Sequence, residues 1–151
     1  MIFIERIDNL APNLPDELVK SAALNTMEHQ SAPDNAELTI VLTDDNHLQA
    51  LNLQWMNVDA PTDVLSFPSD EIDPESQNRY LGDILISVQR AATQAKETGH
   101  TVEAEVQLLV VHGVLHLMGH DHAEGVEKTR MWKAQAEILT GLGLGSLEIR
   151  E

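Results

Sequence analysis

The feature that most constrains this chain is the segment "TVEAEVQLLVVHGVLHLM" at 101–118, which is apolar on nearly every side of the helix it would form beyond its first turn. A helix of that kind is stable only where neighbours cover it all round. Its longest apolar run, "LLVVHGVLHLMG", is too short to span a bilayer and is interrupted by two histidines. The segment is therefore the central helix of a folded domain, with Thr101 as its candidate N-cap and acids in its first turn.

The remaining sequence supplies what covers that helix. "IFIERI" (2–7) reads as a strand, and "DELVKSAALNTMEHQ" (16–30), after the turn signals Pro12 and Pro15, reads as a helix capped by Asp16. "ELTIVLT" (37–43) is a second strand, followed by a helix that starts at the Asp44/Asp45 cap and carries Leu48, Leu51, Trp55 and Met56. "PTDVLSFP" (61–68) is a short strand whose two prolines favour a sheet edge. An acidic loop, "SDEIDPESQNR", leads to the apolar strand "YLGDILISV" (80–88). Helices over 89–99, ended by Gly99, and over 123–143 complete the set. At 151 residues, with no repeat or linker, residues 1–151 are expected to form one domain.

Composition removes several classes of chemistry. There is no cysteine, so His, Asp and Glu are the strong metal donors left. "MIFIERIDNL" lacks a basic start and has Glu5 where an apolar signal core would continue, so a cytoplasmic protein with no membrane association is expected. The net charge of −16, from 25 acids against nine bases, opposes long-range attraction of nucleic acid. A bound dication or a local groove can still present positive potential on such a surface.

"HGVLHLMGHDH" (112–122) places four of the seven histidines within eleven residues. His112 and His116 are four apart on the central helix, which puts their Cβ atoms roughly 5–6 Å apart on one face and lets both imidazoles meet one ion. Gly119 can take the left-handed conformation that ends a helix, so that His122 returns to the same ion from another direction. Three imidazoles leave the fourth position of a tetrahedral Zn²⁺ open, as in catalytic sites, although Ni²⁺ or another divalent ion also suits such a set. His120 could replace His122, but it follows the glycine directly with little chain to turn back, and it reads as a rim histidine. Asp121 is either an acceptor orienting an imidazole or a solvated acid.

The spacing also matches the zincin protease pattern H-E-x-x-H-x-x-G-x-x-H at every position but one. Gly113 stands where those proteases carry the glutamate that serves as general base, and Glu105 lies too far upstream to be a sure substitute. Peptide hydrolysis by that route is disfavoured, and no side-chain base is evident.

Taken together, "HGVLHLMGHDH", "DAPTDVLSFP" (59–68) and "LGDILIS" (81–87) resemble, in order, the three signatures of the YbeY family of bacterial rRNA maturation factors. The resemblance covers essentially the whole chain. It implies an α+β fold, a small mixed sheet of four to five strands packed with about five helices and a zincin-like metal helix. It further implies a zinc-dependent, single-strand-specific endoribonuclease acting in late small-subunit rRNA maturation and ribosome quality control. Its zinc ligands fall on His112, His116 and His122, and its partners would be single-stranded rRNA and the small ribosomal subunit with its assembly factors, not DNA. One departure is Met56, where the family commonly carries an arginine, so that Arg79, Arg90 or Arg130 would have to supply that charge. On resemblance, the 61–68 strand borders the metal cleft, where Ser66 could contact RNA; Asp63 itself reads as hydrogen-bonding the local turn. Two other readings stand beside the nuclease: a ribosome-assembly binding factor with a structural metal, suggested by the charge and Met56, and, further off, a metalloprotease.

Overall fold

The computed structural model describes residues 1–120 and 125–147. Four strands, β1 (Ile2–Arg6), β2 (Ala36–Thr43), β3 (Val64–Ile72) and β4 (Arg79–Ser87), form one mixed sheet in the order β1-β2-β4-β3. β1, β2 and β4 run parallel, and β3 pairs antiparallel with β4 at the sheet edge. Five helices accompany it: α1 (Asp16–His29), α2 (Asp45–Met56), α3 (Val88–Thr98), α4 (Val102–Leu117) and α5 (Gly125–Gly141). The α+β class, the mixed sheet and the edge position of the proline-bounded strand are as the sequence implies.

Alternation along the strands divides the core in two. Leu38, Ile40, Leu42, Ile84 and Ile86 point to one face, where they pack with α1, α4, α5 and the start of α3. Val41, Leu65 and Leu85 point to the other, covered by Leu48 and Leu51 of α2. α4 lies in the larger layer with eleven of its sixteen residues buried, which is why it can be apolar on nearly every side. Thr101 caps it, its side chain accepting from the Ala104 amide at 3.1 Å, and Asp44 caps α2 by accepting from the His47 amide at 2.8 Å.

Two expectations need correction. Asp16 is the first residue of α1 and not its cap; Pro15 precedes it without a side-chain bond, and the Asp16 carboxylate instead takes the Arg6 guanidinium at 2.5 Å. The acidic stretch after Pro68 is not all loop, because β3 continues to Ile72 and forms a hairpin with β4. Its register shifts between Pro68 and Glu71, beside Gly82 at φ +139. A Cβ on Gly82 would lie 2.2 Å from the Phe67 carbonyl oxygen and 2.9 Å from Leu117 Cδ2, so the glycine in "LGDILIS" lets the edge strand and the end of α4 close on β4.

Candidate metal centre

The site is built where α4 crosses β3 and β4. Gly113 faces the sheet so closely that a Cβ there would stand 2.7 Å from Ile84 Cγ2. The same register sets Ser66 opposite Ile84, and the Ser66 hydroxyl donates to the Gly113 carbonyl at 3.3 Å. This contact ties the edge strand to the helix, a structural use of Ser66. Gly113 thus fills a packing role, and a side chain at that position would point at Ile84 and not at the histidines.

Between Ala104 and His116, His112 and His116 alone are half-buried. Their Nε2 atoms approach to 3.1 Å, with ring centroids 4.7 Å apart and planes inclined at 68°. Two nitrogens held at about 2.0–2.1 Å by one tetrahedral ion would be roughly 3.3 Å apart, so the pair fits a shared ion of zinc's size. On the far side of the His112 ring, Nδ1 lies 3.1 Å from Oε1 of Gln135, a fully buried residue of α5. With Oε1 accepting from Nδ1–H, the lone pair of His112 resides on Nε2 and faces the cleft. Sequence reasoning missed Gln135, which has no local signature.

α4 ends as the glycine suggested. Gly119 is left-handed at φ +95, its amide donates to the His116 carbonyl at 3.1 Å, and the His120 amide reaches the Leu115 carbonyl at 2.9 Å. His120 turns toward α1, where its Nε2 meets Gln30 Oε1 at 2.6 Å. Burial first, then the positive charges of Arg130 and His29, lower its pKa from the usual imidazole value. His122 and Asp121 lie outside the described residues, and among the described residues no group of three metal-binding side chains converges.

A cleft of about 490 Å³ opens before the two imidazoles, lined by Met56, Thr62, Asp63, Val64, Leu65, Ser66 and Pro68. Asp63 brings a carboxylate to its wall, where Oδ2 accepts from Gln94 of α3 at 3.2 Å and the backbone carbonyl accepts from the Ser87 amide at 3.0 Å. No lysine or arginine is among the described lining residues. Arg79 sits 4.0 Å from Asp70 on the hairpin, Arg90 is 3.5 Å from Asp45, and Arg130 borders the hollow beside His120, so none takes up the position that Met56 occupies. Glu105 is also outside the cleft: it is fully buried near the start of α4, 2.6 Å from His100 Nε2.

Fold and site together define a small α+β domain in which a paired-histidine helix and an edge strand enclose an open cleft. Residues 6–143 match the family model described as Endoribonuclease YbeY, and the chain belongs to that family. Proteins described as Endoribonuclease YbeY from Chloroflexus aurantiacus and Roseiflexus castenholzii are similar to it at 47% and 40% identity. The first alignment covers 85% of this chain and 87% of the relative, the second 95% and 94%. A Thermotoga maritima protein known from its solution structure shares the fold, with a TM-score of 0.58 and 25% identity over 100% of this chain and 97% of that one.

Proposed function

We propose that this protein is a metal-dependent endoribonuclease that cleaves single-stranded rRNA during small-subunit maturation and ribosome quality control in the cytoplasm. One divalent ion, Zn²⁺ foremost, is held by His112, His116 and His122. The observation that carries the reading is the convergence of two imidazole Nε2 atoms at 3.1 Å in an open cleft, in a chain of an endoribonuclease family. When bound, such an ion supplies Lewis-acid polarisation of a phosphoryl oxygen.

The chain's own residues do the positioning. Gln135 fixes the His112 tautomer, Ser66 and Gly113 hold the edge strand against α4, and Asp63, braced by Gln94, places a carboxylate on the cleft wall. β3 has no strand on its outer side among the described residues, so its backbone is available to an extended ligand. Placed in the cleft, a phosphodiester lies between that edge and the histidines.

The test joins elemental analysis of the native protein to cleavage of a labelled single-stranded RNA. One ion per chain is expected, with cleavage lost in His116→Ala and in chelator. Equal cleavage by wild type and His116→Ala would remove the metal from the mechanism. A second reading, a ribosome-assembly factor with a structural metal, is favoured by the net charge of −16 and by the absence of a lysine or arginine among the cleft's described lining residues. Its signature would be one ion per chain and ribosome binding without cleavage.

A further inference from the structure

On the opposite face of the edge strand from the histidines, Leu51, Trp55, Phe67 and Leu85 line an open hollow of about 380 Å³. Trp55 is 62% exposed at the end of α2 and meets Phe67 edge to face, with ring centroids 6.4 Å apart and planes at 70°. The chain has only five aromatic residues, so placing one of its two tryptophans largely in water is a departure from what core packing would select. Leu53, Met56 and Val58, close to Trp55 in sequence, are each close to half exposed.

The hollow is continuous with the metal cleft along the chain at two points. Met56, next to Trp55, lines the cleft, and so do Ser66 and Pro68, which flank Phe67 on the strand. Successive strand side chains point to opposite faces, so Val64, Ser66 and Pro68 share the side of β3 at the cleft while Phe67 meets the hollow. A chain laid over the outer edge of β3 would touch both.

Charge decides how a single strand would be held here. The cleft has no lysine or arginine among its described lining residues and the whole chain carries −16, so, beyond the bound ion, side-chain attraction of phosphate contributes little to holding RNA here. Much of the affinity for a single strand must then come from its bases, which stack on aromatic faces whatever their sequence. We propose that Trp55 and Phe67 form a stacking platform for an unpaired nucleobase of the strand whose phosphate lies in the histidine cleft. A base paired inside a duplex has no free face to offer, so the platform also selects single strands. The proposal rests on the endoribonuclease reading for its ligand.

The experiment follows Trp55 emission in the full-length protein with Trp132→Phe, leaving one tryptophan, during titration with a short oligoadenylate and with the same backbone made abasic. Oligoadenylate is expected to quench Trp55. Trp55→Ala should weaken its binding about fivefold to a hundredfold, while Trp55→Phe keeps most of it. The abasic strand should bind wild type and Trp55→Ala alike. Unchanged oligoadenylate binding by Trp55→Ala, or an equal loss for the abasic strand, would overturn the platform. So would sedimentation showing that Trp55→Ala turns a dimer into a monomer, which would assign the face to a second copy. Cleavage lost in His116→Ala with normal base binding in Trp55→Ala removes the platform and leaves the nuclease; Trp55-dependent base binding without metal-dependent cleavage does the reverse.

Discussion

A single amide sets the chemistry of the first histidine. Gln135 Oε1 fixes which ring nitrogen of His112 carries its proton, and it does so from α5, nineteen positions beyond His116 in sequence. Partners of this kind commonly contribute about tenfold to a hundredfold in metal affinity. Gln135→Ala is therefore expected to weaken binding of Zn²⁺ by about that factor, and Gln135→Glu, which keeps the acceptor, to hold affinity near wild type. Competition against a chromophoric chelator measures both, with thermal unfolding alongside to separate lost affinity from lost structure. Equal affinity in the alanine variant and wild type would show that the amide does not orient the ring. Gln135 could not be read from the sequence, because a glutamine in an amphipathic helix carries no signal until packing brings it to a partner. His112 and His116 could be read, because their four-residue spacing on an apolar helix is local information.

The same division between local and long-range information runs through the elements. Caps at Asp44 and Thr101 and the apolar runs of β2 and β4 locate four of the elements before any packing is known, since those signals act over one turn or one strand. The continuation of β3 through Ser69, Asp70 and Glu71 could not be foreseen from such polar residues; pairing with β4 imposes it. Another consequence of strand pairing is the group of side chains on the face of β2 and β4 beyond α2. The Tyr80 phenol donates to Asp83 Oδ1, and Thr39 Oγ1 lies 2.6 Å from it. Burial, then the Asp83 hydrogen bond, raises its pKa from 10.0 to about 12. The unfolded chain ionises first as pH climbs, so this group's contribution to stability is complete below about pH 10 and is lost as pH rises toward about 12. The chain has one tyrosine, so phenolate absorbance reads this group alone. A midpoint near 12 in the folded protein and near 10 in denaturant is expected, and coincident midpoints would refute the assignment.

At the scale of the whole molecule, an acidic protein of an RNA-cleaving family must bind a polyanion against its own field. No cationic side chain is among the cleft's described lining, to which Met56, 48% exposed, brings a thioether. Each phosphate neutralised on a single strand adds about 0.7 to the slope of log affinity against log salt. The wild-type slope should then stay below the ~1.4 of two phosphate contacts, with most of the affinity surviving at high salt. Met56→Arg adds a guanidinium to the cleft lining, and it should steepen the slope by about 0.7 while tightening binding at low salt. Met56→Leu separates charge from bulk, since it should change neither quantity. Fluorescence anisotropy of a labelled single-stranded RNA across a salt series supplies all three slopes. A steep wild-type slope, matched by the arginine variant, would mean that bases elsewhere on the surface grip the backbone and that Met56 lies off the path of the RNA.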